Sequence, residues 1–163
     1  MTKIGLISDT HGYFDPKIYE WFKDVDEIWH AGDIGNEEVL NKLEEFKPTK
    51  AVFGNIDNWQ IRSRTPEFLE FKCEEMKILI THIGGYPARY TPGITKLLTE
   101  KKPDIFICGH SHILKVINDS KLNLLHLNPG AIGKSGFHQV RTALRFQIEG
   151  NNIKEMEIIE LKR

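Results

Sequence analysis

The sequence predicts an α/β fold in which two β-sheets pack face to face with helices on the outside. Three observations predict it. Apolar, β-rich runs alternate with helix-period patterns through the first half of the chain. The second half turns to closely spaced strand runs joined by hairpin-type turns at Glu74-Glu75, Asn118-Asp119 and Gly150-Asn151-Asn152. No Pro- or Ser-rich linker, solenoid repeat or low-complexity tract interrupts the 163 residues, so a single domain over 1–163 is the economical organisation.

In chain order, Lys3 to Ser8 (KIGLIS) reads as a buried strand. Asp15-Pro16 supplies an N-cap and a first-turn proline, and KIYEWFK follows as a helix with Ile18, Trp21 and Phe22 on one face. Asp26 to His30 is a second strand. Asn36 caps a helix through Glu45, with an apolar stripe of Val39, Leu40, Leu43 and Phe46, and Lys47-Pro48 ends it. Thr49 to Phe53 is a third strand. That rhythm predicts right-handed crossovers and a parallel sheet. Phe68 to Cys73 and Lys77 to Thr81 form a hairpin, and Thr91-Pro92 opens a helix through Glu100. Ile105 to Cys108 is another buried strand, followed by strand runs at Ile113 to Asn118, Leu122 to Leu127, Arg141 to Glu149 and Ile153 to Leu161.

Composition excludes several classes. Apolar residues at 40% and charged residues at 28% are the balance of a globular core with a solvated surface. A formal net charge of -1 offers no broad basic field, which argues against long nucleic acid and leaves nucleotides open. No stretch reaches the roughly 18 apolar residues a membrane span needs. MTKIGLISDTHG enters a strand at once without a cleavable signal pattern, so a cytoplasmic location is expected. Cys73 and Cys108, both in apolar contexts, read as reduced core thiols.

The chemistry lies in seven donors in fixed order: Asp9, His11, Asp33, Asn55, His82, His110 and His112. Each group follows a predicted strand, and in a parallel sheet those carboxyl ends share one edge, where open α/β sheets bind ligands. Gly12, Gly32, Gly54 and Gly109 let the chain turn beside a crowded polar centre. The inventory suits two cations. Asp9, His11, Asp33 and His112 could hold one, and Asp33, Asn55, His82 and His110 the other, with Asp33 bridging. Two divalent ions, two carboxylates and a bridging hydroxide leave about one net positive charge, which favours a phosphate anion. Mixed imidazole and carboxylate donors point to Mn, Ni, Fe, Zn or Co rather than Ca.

The segments DTH (9–11), GD (32–33), GNID (54–57), TH (81–82) and GHSH (109–112) resemble the calcineurin-like metallophosphoesterases. NPGA (128–131) is similar to the NPGS element of their small, single-domain phosphodiesterase branch. The resemblance implies a four-layer sandwich of two mixed sheets between helices, a dinuclear centre of the residues just named, and hydrolysis of phosphoric esters. Protein phosphatases of that family carry a leaving-group histidine after the GN, where this chain has Ile56, and an arginine after the GD that is absent here. Asp57 is the candidate substitute acid, and Asn55 a candidate substrate contact.

The expected function is therefore a metal-dependent phosphodiesterase acting on a small phosphodiester or nucleotide-like substrate, with a homodimer plausible. The alternatives are a protein-interaction scaffold of the same fold, or a nucleotide-processing hydrolase. Other features have blander readings. His30 is expected to pack beside the site, and His126 and His138 to be structural or surface groups. Ile83 to Tyr90 is either a substrate-shaping flap or a self-packed turn. Lys134 is expected in a solvated turn, Trp59 at a partly buried core edge, and Lys101-Lys102 at a helix end.

Overall fold

Alternation within the strands decides the layering. In β1 (Thr2–Ile7), Ile4 and Leu6 face one side and Ile7 the other, and all three are fully buried. A strand buried on both faces needs a layer on each. The inner layer is a second sheet. Ile4, Leu6 and Trp29 pack with Ile78, Ile80, Ile105 and Ile107 in one core between the sheets. The outer face carries Ile7, Ile28 and Ala51 against Ile18, Phe22, Val39, Leu40 and Leu43 from helical segments. Across the molecule, Leu79, Phe106 and Leu124 pack outward on Ile94 and Leu98. The result is the four-layer sandwich of two mixed sheets with helices outside.

The computed structural model describes residues 1–163. The first sheet runs in the order β12 (Asn152–Lys162), β11 (Val140–Glu149), β1, β2 (Glu27–His30), β3 (Thr49–Ala51). Its β1, β2 and β3 are parallel, and β11 is antiparallel to both of its neighbours. The second sheet runs β4 (Phe68–Cys73), β5 (Met76–Thr81), β8 (Ile105–Ile107), β10 (Leu124–Pro129), β9 (Leu114–Asp119). Here β5, β8 and β10 are parallel, with antiparallel strands at both edges.

The helices are α1 (Ile18–Trp21), α2 (Glu37–Phe46), α3 (Trp59–Arg62) and α4 (Ile94–Lys101). Asn36 caps α2 as expected, its Oδ1 accepting from Val39 N at 3.0 Å. The KIYEWFK helix shortens to one turn. Arg145 Nη1 of β11 donates to Trp21 O at 2.6 Å and takes the carbonyl that a longer helix would use. The opening of α4 moves from Thr91-Pro92 to Ile94, because Gly93 takes a left-handed conformation there. The short α3 is new, capped by Asn58 Oδ1 accepting from Ile61 N at 3.1 Å. The Ile83–Tyr90 segment contains a two-rung hairpin, β6 (Gly85–Tyr86) and β7 (Arg89–Tyr90).

Cys73 and Cys108 are buried and unpaired. Burial pushes the Cys108 thiol up to about 12 and raises Cys73 as well, as suits inert core thiols. No helix is long and apolar enough to cross a membrane.

Candidate metal centre

Each donor group leaves the carboxyl end of a parallel strand. Asp9 and His11 follow β1, Asp33 follows β2, Asn55 follows β3, His82 follows β5, and His110 and His112 follow β8. Loops from the two sheets lock together at this rim. Asp9 N donates to Gly32 O at 2.9 Å, His11 N to Asp33 O at 3.0 Å and Gly109 N to His82 O at 2.9 Å. His110 N donates across the sheets to Asp9 Oδ2 at 3.2 Å. Ten non-glycine residues have positive φ, and five of them are candidate donors: Asp9 (55°), His11 (47°), Asp33 (57°), His110 (73°) and His112 (62°). Each such residue costs of order 1 kcal/mol, and so many at one rim single it out as the candidate functional centre. Gly54 must lack a side chain, since a Cβ there would stand 2.1 Å from Asp33 Oδ1.

The donors gather in two trios, Asp9 with His11 and His112, and Asp33 with His82 and His110. His112 Nε2 lies 3.2 Å and His11 Nε2 3.6 Å from Asp9 Oδ1. Asp33 Oδ2 lies 3.3 Å from His11 Nε2 and 3.1 Å from His82 Nε2. Donors about 2.1 Å from a cation sit about 3.0–3.4 Å apart along octahedral or tetrahedral edges, so three of these spacings fit a shared coordination shell and the His11–Asp9 one, at 3.6 Å, is slightly wider. Asp9 Oδ1 and the Nε2 atoms of His11 and His82 are buried with no hydrogen-bond partner. Orphaned buried atoms of this kind are costly unless an ion serves them. His82 Nδ1 donates to Ala31 O at 2.7 Å, which fixes its tautomer and turns the Nε2 lone pair toward the carboxylates. Asn55 Oδ1 lies 3.1 Å from His110 Nδ1 at the exposed side of the rim. By these tests the residues fit a pair of divalent ions.

Electrostatics agree. Burial opposes ionisation of Asp9 and Asp33, yet the imidazoles around them hold both carboxyls well below the usual range. Asp33 and Asp9 raise His11 to about 9. Burial works against charge on His82, and the same two carboxylates outweigh it and raise that ring too. The site is built to keep positive charge between two carboxylates.

Several braces escaped sequence reasoning or change its expectations. Asp57, the candidate auxiliary acid, is held as a loop anchor. Its Oδ2 accepts from Gly54 N at 2.8 Å and Ile34 N at 3.1 Å, and its Oδ1 from Gly35 N at 2.8 Å. It thus joins the Asp33 and Asn55 loops. Arg62 Nε donates to Asp57 O at 2.7 Å and its guanidinium stacks on Phe53, 4.6 Å from the ring centre. Asn128 of NPGA is buried and donates to Gly109 O at 3.0 Å and Ser111 Oγ at 3.2 Å, holding the GHSH loop.

His30 packs beside the site as expected. Gly32 N donates to its Nδ1 at 3.1 Å, so its Nε2 proton goes to Thr10 Oγ1 at 3.0 Å, and burial pushes the ring down to about 4. His126 is structural, fully buried between Tyr90 and Phe106. His138, expected to be a structural or surface group, is half-buried with its Nδ1 3.2 Å from His112 Nδ1. Trp59 is 73% exposed rather than a core edge, because α3 turns it outward while Ile61 takes the buried face. Lys134 lies over the Tyr13 ring at 4.4 Å.

Comparison with known proteins bears on this geometry. The model of the calcineurin-like phosphoesterase superfamily domain matches residues 2–151. A probable metallophosphoesterase of Methanothermobacter thermautotrophicus is 33% identical over 135 residues, covering 78% of this chain and 76% of that protein. A second, from Methanocaldococcus jannaschii, is 36% identical over 134 residues, covering 78% and 67%. Among solved structures, wild-type Vps29 of Entamoeba histolytica complexed with zinc superposes with a TM-score of 0.74 at 16% identity, over 98% of each chain. The five motifs that feed the rim lie within the matched residues, and the chain belongs to the calcineurin-like phosphoesterase superfamily.

Proposed function

We propose that the protein is a metal-dependent phosphoesterase that hydrolyses small phosphodiesters, using two divalent ions held by Asp9, His11, Asp33, Asn55, His82, His110 and His112. One observation carries the reading. Asp33 Oδ2 faces a donor from each trio, 3.3 Å from His11 Nε2 and 3.1 Å from His82 Nε2, as a shared ligand does. The curated relatives, designated probable metallophosphoesterases, support phosphoester hydrolysis. The mixed donor set suits Mn, Fe, Zn, Ni or Co. Such a pair, when bound, supplies Lewis acidity and a water acidic enough to react near neutral pH.

The chain's own residues orient and select. Only two carboxylates join the imidazoles and one amide, so an anionic phosphate meets little repulsion. Asn55 and His110 stand on the exposed side, hydrogen-bonded at 3.1 Å, where a phosphoryl oxygen can arrive. Two grooves flank them. One of about 420 Å³ is bordered by His110, His112, Ile113 and Phe137. The other, of about 200 Å³, is bordered by Asn55, Phe68, His82 and Ile83. Room on both sides suits a phosphorus with two ester arms. Ile56 has no proton to give, and positioned acids are worth roughly 10²–10⁴-fold, so leaving groups that depart as weak bases are favoured, such as the phenolates of aryl esters.

A scaffold role is the second reading. It draws on the exposed apolar side chains Ile113, Val116 and Ile158, of which Ile113 and Ile158 line one groove beside His112. Elemental analysis of purified protein, with hydrolysis of an aryl phosphodiester in added Mn or Ni, separates the two. Metal near two equivalents, with activity abolished by Asp33→Asn, is expected. Background rates with both metals would overturn the enzyme reading.

A further inference from the structure

We propose that His138 is a positioning residue of the metal centre, holding His112 in the tautomer whose Nε2 lone pair faces Asp9. The inference rests on the metal reading of the site and adds a residue to it. It starts from a carbonyl. His138 Nε2 lies 2.8 Å from Gly133 O, which can only accept, so Nε2 carries the proton. A neutral ring then has its lone pair on Nδ1. That Nδ1 lies 3.2 Å from His112 Nδ1, with the two rings crossing at 80°. Two lone pairs at this distance repel, so His112 Nδ1 must bring the proton and donate. The lone pair of His112 is thereby moved to Nε2, which stands 3.2 Å from Asp9 Oδ1.

Without that acceptor the ring has a better alternative. Neutral His112 would place its proton on Nε2 and donate it to the Asp9 carboxylate, closing both atoms to a cation. His138 tips the balance the other way, as the partners of metal-ligating imidazoles commonly do. The loop is shaped around this pair. Gly136 has φ +126°, and a Cβ there would stand 2.4 Å from His112 Nδ1 and 3.1 Å from His138 Nδ1. Gly133, the anchor of His138, donates its own N–H to Asp9 O at 3.1 Å, so the chain of contacts closes on the same loop it serves. Arg163 Nη1 holds the far side through Gly136 O and His138 O.

The test uses zinc alone as the probe and compares the full-length protein with His138→Leu and His138→Asn. Asn keeps an acceptor oxygen near the position of Nδ1, and Leu does not. Calorimetric titration should show two zinc sites in the parent. His138→Leu should weaken one of them by about 10–100-fold and leave the other unchanged, the size typical of losing such a partner. His138→Asn should return it to within a few-fold. Nitrogen-15 NMR of the imidazoles in the metal-free protein gives a second readout, in which the Nδ1–H form of His112 should fall in His138→Leu and recover in His138→Asn. Parent-like zinc affinity in His138→Leu, or failure of a folded His138→Asn to recover, would overturn the proposal. Should His138→Leu fail to fold, the parent and Asn variants still decide through the NMR signature. A parent protein that binds no zinc would instead overturn the metal reading, leaving the tautomer measurement to judge His138 alone.

Discussion

Asp57 offers the sharpest test of brace against acid. Both of its oxygens are taken by backbone N–H groups, at 2.8 and 3.1 Å on Oδ2 and 2.8 Å on Oδ1. In Asp57→Asn, the amide oxygen can replace Oδ2 and keep Gly54 N and Ile34 N. The amide nitrogen then meets Gly35 N–H, donor against donor. Losing one bond to a charged acceptor at a site only 4% exposed costs about 1.5–3 kcal/mol. The two retained bonds fall to neutral strength, about half the charged value, which adds about 1.5–3 kcal/mol. The total of about 3–6 kcal/mol corresponds to a Tm lower by about 6–24 °C in a chain of this size. Thermal unfolding of the metal-free protein near pH 7 measures it. An Asn variant that melts with the parent, yet loses only the limb of the pH–rate profile that an acid supplies, would refute the bracing role.

Other expectations follow from the same geometry. Asp33 and Asp9 raise His11 to about 9 in the metal-free protein, so its contribution to stability is complete below about 6.5 and lost as pH rises through about 9. Metal binding needs the neutral ring, so apparent affinity should climb with pH across that window, and titrations in buffers of different ionisation enthalpy should register proton release. Burial pushes His126 down to about 4, so the unfolded chain takes up a proton the folded one refuses, and stability falls as pH drops from about 6.5 toward 4. His126→Leu should shrink the loss between pH 7 and pH 5 by about 2 kcal/mol in urea unfolding; an unchanged pH slope would contradict this. Gly54→Ala would drive a Cβ to 2.1 Å from Asp33 Oδ1, and displacement of that carboxylate should lower activity by about 10²-fold or more, read together with metal content.

Much of the framework was legible because local pattern and global topology share a cause. Apolar runs such as Ile4–Ile7 and Ile105–Ile107 are buried on both faces, so each needs a layer on either side, and the helical patterns that follow β1 and β5 make the crossovers that set β1 parallel to β2 and β5 parallel to β8. Once they are parallel, whatever follows them meets at one rim, and all seven donors do. What the pattern hid depends on tertiary contact. The shortening of α1 is decided by Arg145, 124 positions away from Trp21. Asp57 belongs to a ligand-rich motif, and residue type alone does not distinguish a carboxylate aimed at an ion from one aimed at backbone N–H groups. His138 reaches His112 across 26 residues through a loop without periodicity, so no spacing announced the pair.

The rim draws its donors from both sheets: Asp9, His11, Asp33 and Asn55 travel with one, and His82, His110 and His112 with the other. Ions bound there would act as rivets across the seam as well as reagents. Occupancy should therefore harden the whole sandwich against unfolding, in proportion to the logarithm of free metal over its dissociation constant. A slip of one sheet against its mate would carry three donors as a rigid block away from the other four, so cohesion and catalysis would fail in the same motion.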